Sequence, residues 1–238
     1  MAGHMSTIPS SAPAQLPVVP VRRWAARVLG HRALSPTARE LTLSRDGLSF
    51  RAGQLLNVHG QDALDERNYT IASGERDETL QILYRLIPAG RLTPQLAALR
   101  VGDQVEVSGP CGEFVLRDPA RPIVFVATGT GIAPCRAYAR THAGLNLTVL
   151  HGVRTAADLF YRDELSAHPY FPCLTAEREG GFQGRVTERA RALAFPADAH
   201  FYLCGANDMF YDLRDVLLER GFSPAVVFTE AYYYRTEE

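Results

Sequence analysis

Hydrophobic positions along the chain change rhythm once. From Val21 to about Leu116 they alternate in six short runs: Trp24–Gly30, Ala38–Ser44, Gln54–His59, Arg67–Ser73, Thr79–Leu86 and Gln104–Gly109. Period-two alternation puts side chains on opposite faces of a strand, and Gly- or Asp-containing turns separate the runs. The segment therefore predicts a small antiparallel β-barrel. One helix interrupts it, with Thr93 as N-cap, Pro94 at the first helical position, and Leu96, Leu99 and Val101 near its apolar side. From Arg121 to Glu230 strands alternate with helices instead. Apolar runs at Ile123–Ala127, Leu147–His151, Phe171–Thr175, His200–Cys204 and Ala225–Phe228 are separated by helical stretches starting near Ala133, Asp158, Val186 and Asp208. This rhythm predicts an α/β doubly wound five-stranded parallel sheet, with ligands at the carboxyl ends of its strands. Asp118-Pro119 breaks the strands, so the barrel domain is expected over residues 21–118 and the α/β domain over 119–238. Residues 1–20, rich in Ser, Pro and Ala without periodicity, are expected to form a disordered tail. Met1-Ala-Gly-His ahead of Met5 reads as an expression remnant.

The most informative stretch is Pro122–Arg136, PIVFVATGTGIAPCR. Ile123 to Ala127 is an unbroken apolar run suited to a strand buried on both faces. Thr128-Gly129-Thr130-Gly131 then leaves the backbone uncovered, and Ile132-Ala133-Pro134 opens a helix with proline in its first turn. Such a turn presents N–H groups and a positive dipole end to a phosphate. Taken alone it also fits an ordinary strand-to-helix connection. Leu92-Thr93-Pro94, just after Gly90, makes a second helix start of the same kind. The second parallel strand ends His151-Gly152-Val153-Arg154, with no carboxylate for ribose hydroxyls, and Pro134 stands where the dinucleotide fingerprint has glycine. An arginine at that strand end suits a ribose phosphate or a pyrophosphate.

Composition narrows the chemistry. With 238 residues the chain has room for two cores, and a net charge of -1 gives no bias toward nucleic acid. All 25 basic residues are arginine. Schiff-base and P-loop lysine chemistry are excluded, and any phosphate clamp must use guanidinium groups. Cys111, Cys135, Cys173 and Cys204 lie far apart, so neither a metal site nor a cysteine-bound iron–sulfur cluster is expected. Dispersed cysteines beside apolar runs fit a reducing, cytoplasmic setting. No apolar run approaches the ~20 residues of a membrane span, and no signal peptide is visible. His151 and the other histidines show no ligand spacing and read as satisfied core or surface side chains.

Five motifs in order carry a resemblance. Arg67-Asn68-Tyr69-Thr70 resembles the R-x-Y-S/T flavin motif of the ferredoxin–NADP⁺ reductase superfamily. Gly90-Arg91-Leu92-Thr93 is similar to that family's second phosphate motif, and Gly129-Thr130-Gly131-Ile132-Ala133-Pro134 to its nicotinamide-nucleotide loop. Leu203-Cys204-Gly205, with Met209 following, resembles the C-G-x-x-x-M strand end, and Glu230-Ala231-Tyr232-Tyr233 the ending of the bacterial-type reductases. The resemblance implies FAD on the barrel, held by Arg67, Asn68, Tyr69, Thr70, Gly90, Arg91, Leu92, Thr93 and Thr130, with Tyr232 and Tyr233 covering the flavin. It implies NADPH or NADH on the parallel sheet, held by Gly129, Gly131, Arg154, Thr175, Arg185, Gly205, Ala206, Asn207 and Asp208. Thr70, Cys204 and Glu230 are the implied catalytic residues. The physics agrees: Arg67 can pair bidentately with a pyrophosphate, and Tyr69, on the same side of a strand, can lie flat on a ring. Thr70, facing oppositely in an ideal strand, can donate a hydrogen bond without bringing charge. Each residue also has a plainer reading, as an exposed arginine, a packed tyrosine, a small strand-end cysteine and a solvated C-terminal glutamate. The ending departs from the family, which usually closes on Trp or Phe where this chain has Tyr and continues to Glu238.

The implied activity is hydride transfer from NAD(P)H to bound FAD, followed by electron delivery to a separate acceptor such as ferredoxin or flavodoxin. A reductase serving a monooxygenase, a free-flavin reductase, or a flavin-binding regulatory subunit without hydride transfer are the alternatives. For the 2′-phosphate of NADPH, the bacterial-type enzymes use three arginines. Arg154 and Arg185 match two, but Ala176, after Thr175, replaces the third, and Glu177 follows with Arg178 beyond it. The balance favours NADPH slightly, with weak discrimination.

Overall fold

The structure is a computed structural model that describes residues 21–62 and 65–231. Its first half is an antiparallel sheet of β1 (Arg22–Ala33), β2 (Ala38–Ser44), β3 (Leu55–His59), β4 (Glu66–Thr70), β5 (Thr79–Arg85) and β6 (Gln104–Cys111), in the order β4-β3-β6-β1-β2-β5. A single bridge, Ile71 to Ile82, joins its two ends, so the sheet curls into a nearly closed barrel. Alternation decides what fills it. Leu41 and Leu43 point inward beside their cross-strand partners Ile82 and Leu80, and Ala26, Val28, Leu56, Val58, Val105 and Val107 complete the interior. Each large apolar side chain so buried contributes about 1.5–3 kcal/mol relative to exposure.

The helix in this half, α1 (Leu92–Ala98), departs from expectation at both ends. Its N-cap is Arg91, and Thr93 lies inside the first turn. There the Thr93 hydroxyl accepts from Ile87 N (2.9 Å) and donates to Ile87 O (3.1 Å), so it ties the preceding loop and does not cap the helix. The helix stops at Ala98 because Leu99 turns extended, and Val101 is thrown into solvent at 68% exposure.

The second half is a parallel sheet of β7 (Ile123–Thr128), β8 (Leu147–Val153), β9 (Tyr170–Leu174), β10 (Phe182–Gln183), β11 (His200–Gly205) and β12 (Val227–Ala231), in the order β10-β9-β8-β7-β11-β12. The sixth strand, β10, is two residues long, too short to carry a period. Helices α2 (Ala133–Thr141), α4 (Val186–Ala192) and α5 (Asn207–Glu219) begin where expected to within a residue. The stretch expected from Asp158 is divided into a 3₁₀ turn, Ala156–Asp158, and a short α3, Arg162–Leu165. Tyr161 divides them by adopting a left-handed φ of 59°. The direction of strand addition reverses between β7 and β11, and in doubly wound sheets ligands bind at that crevice.

The two sheets share a core. Ala38, Ala52, Ala72, Leu83 and Phe114 pack with Ile132, Ala133, Tyr138, Phe160 and Tyr161. Arg136 of α2 is buried in the same seam. It binds Glu164 through Nε (2.8 Å) and Nη2 (3.0 Å), and donates through Nη1 to Gln81 Oε1 (2.7 Å) and Ala72 O (3.2 Å). Its guanidinium lies 4.4 Å from the Tyr161 ring centre, and Tyr161 in turn donates to the buried Glu40 (2.8 Å).

Candidate active site

The turn after β7 needs its glycines for two different reasons. Gly129 has φ 54°, and nothing stands within 4 Å of where a Cβ would be. Its requirement is conformational. At Gly131 a Cβ would overlap the Cys204 carbonyl, so the loop can rest on the end of β11 only without a side chain. Thr128 fastens the two strand ends from the other side, its Oγ1 accepting from Ala206 N at 2.8 Å. The loop then runs through a 3₁₀ turn, Gly129–Ile132, into α2.

Along these strand ends lies a cleft of about 1000 Å³. Gly129, Thr130, Gly152, Arg154, Thr175, Arg185, Ala206 and Asp208 line it, with Thr37 and Arg85 of the barrel forming the facing wall. Arg154 and Arg185 are exposed and have no ion pair among the described residues. Glu177 accepts from Ala156 N at 2.7 Å and so caps the turn after Arg154. The cleft wall from the barrel was not legible in the sequence, since Thr37 and Arg85 belong to no motif.

The barrel contributes a second half-site along β4. Arg67 is exposed, without an ion pair among the described residues, and donates only to the neighbouring Glu66 carbonyl (2.7 Å). Asn68 is exposed beside it, and Tyr69 is half-buried, edge-on to Tyr84 at 6.2 Å. Thr70 is 2% exposed. The Arg91 guanidinium is held by Asp62 and Asp65, each at 2.9 Å. Gly90 closes the turn ahead of α1, its N–H donating to Ile87 O at 2.9 Å, and Leu92 and Thr93 of the helix are buried. Tyr232 and Tyr233 lie outside the described residues.

The halves meet at Thr70, Cys204 and Glu230. Cys204 is fully buried on β11, in register with Ala127 on one side and Glu230 on the other. Glu230 reaches the barrel, accepting from Thr70 Oγ1 at 2.8 Å. Burial raises its carboxyl to about 7, against the lowering effect of the Thr70 hydrogen bond. Among the described residues no group of three His, Cys, Asp or Glu side chains is placed to hold a metal, and no helix is long and apolar enough to cross a membrane.

These features fit two nucleotide cofactors. A glycine turn at a helix start, unpaired guanidinium groups at a strand end, and an exposed arginine at the barrel edge are donors suited to diphosphates. Known proteins agree. Residues 30–116 match the family model of the oxidoreductase FAD-binding domain, and residues 125–215 that of the oxidoreductase NAD-binding domain. Fold and site thus define an FAD-dependent NAD(P)H oxidoreductase.

Ferredoxin–NADP reductase B of Sorangium cellulosum is 33% identical over 221 residues, covering 80% of this chain and 89% of that protein. The chain belongs to the ferredoxin–NADP reductase family. It is also 29% identical over 234 residues to the reductase subunit of an Amycolatopsis aromatic O-demethylase, covering 90% of this chain and 70% of the relative. The crystal structure of an Amycolatopsis cytochrome P450 reductase superposes with a TM-score of 0.82 at 28% identity, over 93% of this chain and 73% of that one. A Neisseria gonorrhoeae ferredoxin NADP⁺ reductase with bound FAD and NADP shares the fold, with a TM-score of 0.78 at 21% identity, over 89% and 99% of the two chains. The chain spans only 59% of the propane 2-monooxygenase reductase component of Mycolicibacterium smegmatis, which it also resembles.

Proposed function

We propose that this chain is the reductase of an electron-transfer pair, drawing on NADPH or NADH through FAD and delivering electrons to a separate ferredoxin or flavodoxin. The observation that carries this reading is the hydrogen bond from Thr70 of the barrel to Glu230 of the sheet, in register with Cys204. It joins the flavin motif to the end of the nucleotide-binding sheet at one point.

Bound FAD supplies the chemistry, accepting two electrons as a hydride from nicotinamide and releasing them singly or together. The protein's residues hold, orient and dry the site. Arg67 clamps the flavin pyrophosphate, while Tyr69 offers a ring face and Thr70 a hydroxyl aimed by Glu230. Gly129 and Gly131 seat the nicotinamide nucleotide at the start of α2, and the Thr130 side chain between them belongs to the flavin set. Arg154 and Arg185 bind its adenosine end, while Gly205, Ala206, Asn207 and Asp208 form the opposite lip. Cys204, sealed from solvent, packs beside the reacting rings. Glu230 holds a proton on its carboxyl near neutral pH.

The named relatives support a protein acceptor, since several are reductase components of oxygenase systems and one is a ferredoxin–NADP reductase. The first group favours a second reading, in which the acceptor belongs to an oxygenase. The reading includes a separate iron–sulfur or flavin acceptor and a reducing, cytoplasmic location, in keeping with four cysteines dispersed through the sequence. Purified protein should be yellow and should bleach anaerobically with NADPH or NADH. Reoxidation by ferredoxin, flavodoxin, an oxygenase component and free flavin then separates the acceptors. Yellow protein that neither nucleotide bleaches would make the chain a flavin-binding subunit instead.

A further inference from the structure

His151 is fully buried at the end of β8, beneath the glycine turn that follows β7. Its ring nitrogens make two contacts, Nε2 to the Gly129 carbonyl at 2.8 Å and Nδ1 to the Tyr170 hydroxyl at 2.7 Å. A carbonyl can only accept, so Nε2 carries the proton, and Nδ1 of the neutral ring accepts from Tyr170. The order is therefore fixed: Tyr170 O–H to His151, and His151 N–H to Gly129. Burial supports the neutral ring, lowering its pKa to about 4.

Gly129 is required for its backbone conformation and not for a close contact at its Cβ position. It sits in the left-handed region, and no atom lies within 4 Å of its missing Cβ. The Gly129–Thr130 peptide also belongs to the 3₁₀ turn Gly129–Ile132, and the hydrogen bond from His151 adds a side-chain hold on the direction of its carbonyl. The peptide is planar and trans, so its C=O and N–H point opposite ways. Holding the carbonyl on the imidazole turns the Thr130 N–H away from His151. A rotated peptide would present a carbonyl oxygen to the phosphates in its place.

We infer that His151 is a positioning residue for nicotinamide-nucleotide binding, with Tyr170 selecting the tautomer that anchors the Gly129 carbonyl away from the diphosphate. The inference rests on the nucleotide reading of the cleft. It assigns the affinity of the loop to a side chain outside the glycine motif, one that touches no ligand.

The test uses the FAD-loaded protein. Difference spectra give Kd for NADP⁺ or NAD⁺, whichever the wild type binds more tightly, and ¹⁵N NMR of the histidine rings reads the tautomer. His151→Phe should raise Kd tenfold or more with flavin content unchanged, and His151→Gln, whose amide can still donate to Gly129, should recover to within about threefold of wild type. Tyr170→Phe keeps the imidazole in place. It should give a mixed tautomer signal and about a threefold loss, which tests the relay even where His151→Phe does not fold. A ring protonated on Nδ1 in the wild type, or a Kd for His151→Phe within twofold of wild type, overturns the inference alone. Wild-type protein that binds neither nucleotide overturns the cleft reading and this inference with it.

Discussion

Thr70 and Glu230 stand 160 positions apart in the chain, and the hydroxyl of the first donates to the carboxyl of the second at 2.8 Å. One ends a barrel strand and the other lies on an edge strand of the parallel sheet. The contact therefore fixes where the two half-sites touch. Its acceptor has no ion pair among the described residues, and burial moves Glu230 up to about 7.

That shift has a sign. A carboxyl whose folded pKa lies above its unfolded 4.5 favours folding most when protonated. Stability from Glu230 is thus complete below pH 4.5 and is lost as pH rises to about 7. Glu230→Gln keeps an acceptor for Thr70 and never ionises. The variant should be more stable than wild type at pH 8, on the order of 1–3 kcal/mol, and nearly equal at pH 4.5. Urea unfolding at both values with FAD in excess checks this. A larger gain at the lower pH would contradict the burial argument.

Arg67 and Arg91 offer a paired comparison. Arg67 has no ion pair among the described residues, whereas Arg91 is held by Asp62 and by the buried Asp65. Arg67→Ala should leave stability within about 0.5 kcal/mol. It should weaken FAD binding by roughly ten- to a hundredfold, the loss of one charge-assisted contact of about 1.5–3 kcal/mol. Arg91→Ala should instead lower the melting temperature, because it takes the cation from the buried Asp65 carboxylate and leaves it only the Gln95 amide at 3.3 Å. Flavin occupancy after gel filtration at low concentration, read beside thermal melts, separates the two. Full occupancy in Arg67→Ala would remove Arg67 from the clamp.

Cys204 and Gly131 test the closeness of loop and strand. Cys204→Ala removes one buried sulfur, a loss of about 1 kcal/mol. It should slow flavin reduction in stopped flow while flavin content stays the same. Gly131→Ala drives a methyl into the Cys204 carbonyl, so the loop must lift. Nucleotide affinity should then fall with little change in FAD. If Cys204→Ala reduces its flavin at the wild-type rate, the thiol is packing alone.

Much of this arrangement could be read from the residues. The change from period two to strand–helix alternation gave both sheets, and β7 is buried almost throughout, as its continuous apolar run requires. What escaped depends on contacts distant in sequence. Thr93 looks like a cap beside Pro94, yet a loop carbonyl and amide at Ile87 claim its hydroxyl. Two residues at Phe182–Gln183 join the sheet because β9 lies alongside, not because of any pattern of their own. Arg136 reads as the first polar residue of a helix, and only the fold shows it buried between Glu164, Gln81 and Ala72. His151 likewise looked like a satisfied core histidine. It is one, but the acceptor that satisfies it is the loop glycine.

Buried ion pairs resist the loss of one member, and Arg136 bridges the sheets through its partners. Arg136→Met should destabilise the protein by about 1–3 kcal/mol, since Glu164 and the buried Glu40 lose a shared cation but keep Arg140 and Arg32. The double variant Arg136→Met, Glu164→Gln should recover part of that loss. Additive losses, measured by denaturant unfolding, would show that the two side chains act independently.

Nucleotide preference turns on the guanidinium groups at the sheet's carboxyl edge. NADPH differs from NADH by a 2′-phosphate, which an unpaired arginine can bind and a carboxylate repels. Arg154 and Arg185 both line the cleft. Ala176 leaves the third position of the bacterial-type set empty of charge, while Glu177 is engaged by the Ala156 amide at 2.7 Å. That bond limits its freedom to reach a ribose, and its charge still weakens the phosphate site. Two cations against one tethered anion give a small advantage to NADPH, less than tenfold in kcat/KM. Arg154→Ala and Arg185→Ala should each lower kcat/KM for NADPH more than for NADH. Glu177→Gln should shift preference further toward NADPH. Steady-state rates with both nucleotides across these variants provide the measurement. A wild type preferring NADH tenfold or more, with neither arginine change selective for NADPH, would mean that the 2′-phosphate is not bound here.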